Sequence, residues 1–355
     1  MSTLNRFQKP WIVMVGGFLG AGKTTLIMAA AKELNRRGLR CAVVTNDQGD
    51  ALVDSAYVSE SGLAHGEVTG GCFCCRFSEL VETIEELRKF SPDVIFTEPV
   101  GSCTDISATT LHPLLEYSDR YNLAPFTVLV DPARAANLAG DNAEDALSFL
   151  FRKQLEEADL VCLTKLDLGL PMPYPGMNSY RQLSARTGQG VAAWLDEVLS
   201  GAFSCSSRIL DIDYEQYACA EAALAWLNLQ AELRPSTPCS SALLMGPLLD
   251  DLDLQLTAAG ISICHLKLIM DSASGFLKEA LCENGQKPIV EGALDASPAA
   301  KHKLLLNLRA LGPSAGVREI VAQAIERLPS EVDDLRINCF HPAAPNPERR
   351  IGATK

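Results

Sequence analysis

One glycine-rich run constrains the fold of this chain more than any other segment. Residues 16–25 read Gly-Gly-Phe-Leu-Gly-Ala-Gly-Lys-Thr-Thr, and from Gly17 to Thr24 they fit the spacing G-x-x-x-x-G-K-[ST]. The apolar segment 11–15 before the run predicts a buried strand, and segment 26–34 after it predicts a helix. Glycines at such a junction let backbone N–H groups turn toward phosphate oxygens, where the helix dipole favours negative charge. The run therefore predicts a phosphate-binding loop between a strand and a helix.

Individual residues of this loop have separate expected roles. Lys23 is expected to reach the outer phosphates of a nucleotide, and Thr24 to offer its hydroxyl to Mg²⁺. The other residues of the loop that we expect to contact the nucleotide are Gly17, Leu19, Gly20, Ala21, Gly22 and Thr25.

Composition narrows the class of protein. The 355 residues are 47% hydrophobic and 21% charged, which is enough for the cores of two or three domains. The net charge of −13 argues against nucleic acid as a partner, because binding along phosphates needs a basic surface. No apolar run approaches the roughly 20 residues of a membrane span, so we expect no membrane partner and a cytoplasmic location. In that compartment the 12 cysteines are expected to be metal ligands or redox groups rather than disulfides.

Strand and helix patterns alternate through the first 200 residues. Apolar runs predict strands at 40–45, 93–97, 126–130 and 160–164, and helical spacing predicts helices at 79–90, 143–158 and 190–199. Such alternation indicates a parallel sheet covered on both faces. After about residue 201 the order becomes strand, helix, strand, strand, helix, strand, which is that of a ferredoxin-like domain. We predict an α/β P-loop NTPase domain at 8–202, a smaller α+β domain at 203–340 and a flexible tail at 341–355.

Three further motifs follow the phosphate loop in the order found in GTPases. Glu98, at the end of the strand predicted at 93–97, is placed to hold the Mg²⁺ shell or a water, and Gly101 lets the backbone approach a γ-phosphate. The second motif contains Thr164, Lys165 and Asp167 in the pattern [N/T]-K-x-D, whose carboxylate accepts hydrogen bonds from guanine and not from adenine. The third begins at Ser184 and Ala185 and matches the loop S-A-x-x-G-x-G, whose backbone N–H contacts the guanine carbonyl in GTPases. Together they favour GTP over ATP.

Three thiols lie close together in the sequence, directly after Gly70 and Gly71. Cys72, Cys74 and Cys75 put two or three sulfurs within reach of one thiophilic divalent ion, and the glycines permit a sharp turn. Two alternatives remain open at this point: the thiols could be small buried side chains, or the first and last could be a redox pair of the C-x-x-C type. If they bind a metal, His65 and Glu67 are candidates for a fourth ligand.

Taken together, these motifs resemble the CobW-like metallochaperone GTPases, which are related to the UreG and HypB nickel-insertion GTPases. The resemblance is carried by the phosphate loop, the C-x-C-C triplet, the E-x-x-G segment 98–101 and the T-K-L-D segment 164–167, and it covers residues 10 to 200. It implies that the thiols bind a cargo metal and that Glu98 serves the Mg²⁺ and water site. It also implies that Lys165 and Asp167 recognise guanine.

Two features depart from that family pattern. The segment where the first switch begins reads Asn46-Asp47-Gln48-Gly49 rather than N-E-x-G, so Asp47 takes the position expected to touch Mg²⁺ or water. The chain also lacks the His-rich stretch of many relatives, since its five His residues are scattered.

The sequence therefore predicts a GTPase that delivers a transition metal, Zn²⁺ first and Co²⁺ or Ni²⁺ as alternatives, to a client metalloprotein or cofactor enzyme. Its expected catalytic residues are Lys23, Glu98 and Asp47, its expected ligands are GTP, GDP and Mg²⁺, and relatives suggest a homodimer. We expect the segment between Asp47 and Cys75 to link nucleotide to metal. Two alternatives stay open: a regulatory GTPase or cofactor-assembly partner with a structural metal or thiol site, and a small-molecule kinase.

Overall fold

The computed structural model describes residues 7–49, 53–138, 145–169, 179–203, 205 and 208–352. The chain divides into two compact units. The first comprises Met1–Gln48, Val58–Ala220 and Ala344–Lys355, and the second comprises Gly49–Tyr57 and Glu221–Ala343. These bounds differ from the predicted domains because the second unit includes Gly49–Tyr57 and the first includes Ala344–Lys355. Dividing the sequence at one or two points cannot assign such short segments.

The first unit contains a parallel sheet. Its strands are β1 (Trp11–Gly17), β2 (Cys41–Asn46), β3 (Ala64–Val68), β4 (Val94–Glu98), β5 (Asn122–Leu123), β6 (Thr127–Val130), β7 (Leu160–Leu163) and β8 (Arg181–Gln182). In the described part of the chain these eight strands lie in the order β3-β2-β4-β1-β6-β7-β8, with β5 beside β1 and all pairings parallel. The central strands are buried almost throughout, as the near-continuous apolar runs predicted.

Helices alternate with these strands. They are α1 (Lys23–Arg36), α2 (Val53–Glu60), α3 (Phe77–Leu87), α4 (His112–Leu115, after a π-helical turn at Ser107–Leu111), α5 (Pro132–Leu138), α6 (Ala146–Glu157), α7 (Val191–Val198) and α8 (Tyr214–Ala222). The first two residues of the helix predicted at 143–158 lie outside the described residues. Of the helices that the structure describes, none is both long and apolar enough to cross a membrane.

Parallel pairing determines where polar residues gather in the first unit. The carboxyl ends of β1, β2, β4, β6 and β7 all lie along one edge of the sheet, and the loops that follow them meet there. All the motifs found in the sequence follow one of these strand ends or the short edge strands beside them.

The second unit is an antiparallel sheet with two helices. Its elements are β9 (Leu224–Pro235), α9 (Ser241–Ala258), β10 (Ser262–Ser272), β11 (Gly275–Leu281), β12 (Ile289–Gly292), β13 (His302–Leu311), α10 (Ser314–Glu326) and β14 (Ser330–Phe340). Among the described residues the strand order is β12-β11-β10-β13-β9-β14. Apart from the hairpin β11–β12, this is the order of a ferredoxin-like fold, which confirms the predicted α+β unit. Apolar residues of β9, β10 and β13 pack against α9 and α10 to form its core.

The opposite face of this sheet carries polar side chains and is contacted by Gly49–Tyr57, the short segment that belongs to the second unit. The Oδ1 atom of Asn307 on β13 accepts a hydrogen bond from the Val53 N–H at 2.9 Å. Asp54 forms an ion pair with Lys267 of β10, with 2.5 Å between Nζ and Oδ2. The segment that follows the predicted first switch is therefore fixed to the second unit.

The sequence predicted a flexible tail from residue 341, whereas residues 346–351 pack against the first unit. The Glu348 N–H donates to the Cys74 carbonyl at 2.9 Å, and the Ile351 N–H donates to the Ala108 carbonyl at 3.0 Å. Arg350 forms an ion pair with Asp105, which is buried, at 2.7 Å. The expectation failed because proline and polar residues, which usually mark loose ends, here supply backbone and charged groups to a neighbouring surface.

Candidate functional site

The phosphate loop has the backbone conformation that its glycines permit. Gly17, Gly20 and Gly22 have φ angles of 131°, 79° and 92°, which residues with side chains rarely adopt. At Gly17 a Cβ atom would also lie 2.5 Å from the carbonyl oxygen of Leu129 on β6. Helix α1 begins directly after Gly22, at Lys23, so its first turn and the positive end of its dipole lie at the loop.

Lys23 and Thr24 turn toward the centre of this loop, together with the acid predicted at the end of β4. The Lys23 ammonium donates to the Gly17 carbonyl at 3.0 Å, so it lies inside the loop. The Thr24 hydroxyl donates to Oε1 of Glu98 at 3.0 Å, and both side chains are buried. A hydroxyl and a carboxylate are hard oxygen donors of the kind Mg²⁺ prefers, so the residues present fit that ion.

The loop after β4 closes over the phosphate loop at Gly101. A Cβ atom there would lie 3.0 Å from the Lys23 Nζ and 2.8 Å from Cδ2 of Leu19. A larger residue at this position would therefore displace the ammonium or the loop backbone. The structure thus brings Gly101 beside the residues predicted to bind phosphate.

Asp47 follows the end of β2, next to the strand that carries Glu98. Its N–H donates to the Val68 carbonyl at 3.2 Å, and its side chain is partly exposed. Two residues earlier, Thr45 is the register partner of Glu98 between β2 and β4. Asp47 therefore lies at the same sheet edge as the phosphate loop.

The residues predicted to read guanine also come together. The Ser184 hydroxyl donates to Oδ1 of Asp167 at 2.6 Å and accepts the Thr187 N–H at 3.2 Å. A carbonyl–amide bond of 2.9 Å between Ser184 and Gly188 closes the loop. Ala185, the next predicted residue, is partly buried. The two base-reading motifs thus form one local structure.

Thr164 and Lys165 make contacts that the motif alone did not indicate. The Thr164 hydroxyl donates to the Ala21 carbonyl at 3.0 Å and so ties the base-reading loop to the phosphate loop. Lys165, with a φ of 59°, forms an ion pair of 2.7 Å with Asp131, which follows β6. Asp131 was missed because no motif marks it, although it ends a buried strand at the same sheet edge.

Residues 70–75 carry the three thiols, and we call them the thiol loop. The side chain of Asn46, the last residue of β2, holds this loop. Its Nδ2 atom donates to the carbonyls of Val68, at 3.0 Å, and Gly71, at 2.7 Å. Its Oδ1 atom accepts the N–H of Phe73 at 2.8 Å. Asn46 therefore contacts both sides of the turn that leads into the thiols, one residue before Asp47.

The three predicted metal ligands meet in that loop. Their Sγ atoms all lie within 4.8 Å of one another, with 2.6 Å between Cys72 and Cys74 and 3.3 Å between Cys72 and Cys75. Four thiolates around Zn²⁺, at Zn–S distances of ~2.3 Å, stand ~3.8 Å apart, so small outward movements would fit a metal. Cys72 and Cys74 are buried, and Cys75 is partly exposed.

Hydrogen bonds among sulfurs favour one thiolate in this cluster. Bonds from Cys103, and then from Cys74 and Cys75, hold the pKa of the Cys72 thiol well below its usual range. The pKa of Cys74 is raised, first because its thiol donates to Cys72. No motif distinguishes Cys103, in the loop after β4, from the other buried thiols of the chain.

The candidates for a fourth ligand do not join the thiols. His65 lies on β3, where its Nε2 atom pairs with the Thr45 hydroxyl at 2.9 Å. Glu67 is exposed. Among the described residues, the group of ligand atoms at this site consists of the three thiols without either of them.

The C-terminal segment crosses the thiol loop. The Asn346 N–H donates to the Cys75 Sγ at 3.3 Å. The Glu348 carboxylate accepts bonds from the N–H and hydroxyl of Ser78, at 2.9 and 2.6 Å, in the first turn of α3. A carboxylate at a helix N-terminus satisfies free N–H groups and complements the helix dipole. We call residues 346–351 the C-terminal strap.

Comparisons with known proteins match the first unit. Residues 11–172 match the sequence profile of the CobW/HypB/UreG nucleotide-binding domain. The chain is 30% identical over 162 residues to the zinc chaperone YeiR of Escherichia coli, covering 44% of this chain and 47% of that protein. It is 30% identical over 202 residues to the zinc chaperone CobW of a Sinorhizobium species, covering 50% and 56%. The matched region thus spans about half the length of these relatives.

A solved structure extends over more of the chain. The Zn(II)-bound YjiA GTPase of E. coli aligns with 90% of this chain and 99% of its own, at 15% sequence identity and a TM-score of 0.31.

Proposed function

We propose that this chain is a GTPase of the CobW/HypB/UreG kind that carries a transition metal on three thiols, since residues 11–172 match the nucleotide-binding domain of that family. The proposed metal ligands are Cys72, Cys74 and Cys75. The proposed cargo is Zn²⁺, because two proteins similar to this chain are named zinc chaperones. Co²⁺ and Ni²⁺ also suit thiolate ligands. The recipient is a client protein that takes up the metal.

One observation carries this proposal. Three sulfurs meet within 4.8 Å in a loop held by Asn46, the residue just before Asp47, and the same unit contains a complete phosphate loop. A redox pair would not need a neighbouring nucleotide site. A third thiol in reach of the first two also suits a metal better than a disulfide.

GTP hydrolysis would follow from positioning and electrostatics. The Lys23 ammonium and the N–H groups of the phosphate loop stabilise charge on the transferred phosphoryl group, while Asp167 and Ser184 select guanine. Mg²⁺, when bound, supplies charge neutralisation at the phosphates, and Thr24 and Glu98 are the residues that would hold it. Asp47 and Glu98 would orient the attacking water.

The bound nucleotide would change the metal affinity through the end of β2. A contact between Asp47 and the γ-phosphate region would fix the end of this strand, and Asn46 would transmit that constraint to Gly71 and Phe73. Since a ligand shifts an equilibrium only by its differential affinity, the metal must bind differently in the two nucleotide states.

The test is a Zn²⁺ titration against a chelator with a non-hydrolysable GTP analogue, with GDP and without nucleotide. We expect affinities that differ between the first two states, and loss of binding in Cys74→Ser. The matched control is Cys162→Ala, which removes a buried thiol of β7 in the same unit. Equal affinity in all states, with a metal that survives purification and is needed for folding, would instead identify a structural ion.

A further inference from the structure

The C-terminal strap contacts two of the three thiol residues. The Asn346 N–H donates to the Cys75 Sγ at 3.3 Å, and the Glu348 N–H donates to the Cys74 carbonyl at 2.9 Å. Cys72 and Cys74 are buried, whereas Cys75 is partly exposed. The strap therefore bonds to the sulfur at the open side of the cluster.

Two charged side chains hold the middle of the strap. The Glu348 carboxylate accepts the Ser78 N–H in the first turn of α3 at 2.9 Å. Arg76, the N-cap residue of this helix, makes no capping bond with its own side chain, so Glu348 takes that role from the strap. Arg349 forms an ion pair with Glu116, with 2.5 Å between Nη1 and Oε2.

Arg350 anchors the end of the strap to a buried carboxylate. Its Nε atom lies 2.7 Å from Oδ2 of Asp105, whose side chain is 1% exposed, and its Nη2 atom donates to the Leu210 carbonyl at 3.1 Å. The Tyr214 hydroxyl donates to the same oxygen of Asp105 at 2.7 Å. A buried carboxylate is costly without donors or a cation, so the ion pair favours the bound position of the strap.

Asp105 also connects the strap to the loop after β4. Gly101, four residues earlier, lies against the phosphate loop, where a Cβ atom would come within 3.0 Å of the Lys23 Nζ. The Nε2 atom of Gln154 on α6 donates to the Gly101 carbonyl at 3.0 Å and to the Cys103 carbonyl at 2.9 Å. The strap is thus bonded to the thiol loop and to the loop that contacts the phosphate loop.

The sequence of the strap lowers the entropy cost of its contact with the thiols. Asn346 stands between Pro345 and Pro347. Proline fixes its own φ and restricts the residue before it to extended conformations, so this segment has few conformations to lose on binding. The N–H of Asn346 is also the one backbone donor among these three residues, and it is the donor that bonds to Cys75.

We propose that the C-terminal strap is a removable cover that retains the metal on the thiols, with the ion pair between Arg350 and Asp105 as its anchor. This inference rests on the proposed function. The bound strap occupies the open side of the cluster at Cys75, and its N–H stabilises negative charge on that sulfur. When the strap lifts, the sulfur loses a donor and becomes accessible to a client. Both changes favour release of the metal.

The first test measures the rate at which Zn²⁺ passes from the loaded chain to an excess of a chromophoric chelator. Glu348→Ala and Arg350→Gln should each raise this rate at least about tenfold, because each removes hydrogen bonds to a charged group. Glu348 is exposed, so its variant keeps the fold even if the loss of Arg350 destabilises it. Glu82→Ala, at an exposed acid of α3, is the control and should keep the wild-type rate.

The second test needs no metal and measures alkylation of Cys75 by iodoacetamide in the metal-free chain, followed by mass spectrometry. Asn346→Pro removes the N–H donor, and its matched control Asn346→Ala keeps it. We expect faster alkylation in Asn346→Pro and Glu348→Ala than in the wild type, and an unchanged rate in Asn346→Ala. Slower alkylation in Asn346→Pro would show that the strap only polarises the sulfur, which overturns the proposal.

The outcomes separate this inference from the proposed function. Wild-type rates of release and alkylation in Glu348→Ala, Arg350→Gln and Asn346→Pro overturn the strap as a cover, and the proposed function survives if Cys74→Ser loses Zn²⁺. If Cys74→Ser binds Zn²⁺ as the wild type does, the proposed function fails, and retention of the metal by the strap fails with it.

Discussion

The two units place their buried polar side chains in different ways. In the first, Lys23, Thr24 and Glu98 lie in loops at the carboxyl edge of a parallel sheet. In the second, Asn228 and Asn307 lie on adjacent strands of an antiparallel sheet and bond to each other at 2.9 Å. The first set lies in the loops where we propose that nucleotide and Mg²⁺ bind, and the second bonds to side-chain and backbone groups of its own unit.

This difference separates function from stability. A polar group that faces a ligand contributes to binding or catalysis, and its removal leaves the fold largely intact. A polar group bonded within the protein contributes to folding, because removing it leaves a buried partner unsatisfied. Substitutions in the first unit's loops should therefore change activity, and those on the second unit's polar face should change stability.

Lys23→Ala is the change with the largest expected effect. It removes the charge that stabilises the transferred phosphoryl, so kcat for GTP should fall on the order of 10²- to 10³-fold. The thermal midpoint should change little. Lys32→Ala, which removes an exposed lysine from the same helix, is the control. A large drop in the thermal midpoint of Lys23→Ala with a modest loss of rate would contradict the assignment of Lys23 to activity rather than stability.

Asp167→Ala should alter the choice of base. The preference for GTP over ATP, measured as the ratio of dissociation constants, should fall on the order of 100-fold because guanine loses its carboxylate acceptor. Ser184 would lose its partner at the same time. Asp196→Ala, at an exposed acid of α7, should keep the wild-type ratio. An unchanged ratio in Asp167→Ala would mean that this loop does not read the base.

Asn307→Ala tests the second unit. It removes the bonds to Asn228 and to the Val53 N–H, so the free energy of unfolding should fall by about 1–3 kcal/mol. Denaturant titration measures this, and hydrogen exchange over residues 53–57 should rise. Asn338→Ala, at an exposed position on β14, should leave both unchanged. Loss of GTPase activity without loss of stability would contradict our assignment.

Glu157 is a buried polar group of the first unit that bonds within the protein, as the asparagines of the second unit do. We therefore expect it to affect stability rather than activity. Burial raises its pKa from 4.5 to about 8. The folded state therefore holds a proton that the unfolded state releases, so stability falls as pH rises from about 4.5 to about 8. Glu157→Gln should remove that decline and raise the thermal midpoint at pH 8 relative to wild type, with little change near pH 4.5. Parallel pH profiles for the two proteins would show that Glu157 is ionised in the fold.

The sequence was most informative where function depends on neighbouring residues. The phosphate loop was predictable because its glycines, Lys23 and Thr24 are adjacent and each has a separate physical reason. Buried strands such as β4 were predictable for a similar reason, since apolar runs are local. Strand β3 was not predicted because Ala64–Val68 is a half-exposed edge strand without an apolar run.

The sequence was least informative where side chains meet across long separations. Nothing in the pattern around Asn46 or Gln154 indicates that their amides hold loops distant in the chain. The C-terminal strap was predicted to be loose because its contacts are made with other segments and leave no periodicity.

The strap also bears on how this protein should be prepared. Because Asn346 and Glu348 contact the thiol loop, a polyhistidine tag joined directly after Ile351 would begin within a few residues of that loop. Its imidazoles would compete for the same ions that the thiols are proposed to bind, and affinity purification on immobilised nickel would load them. A cleavable tag on the N-terminus avoids both problems.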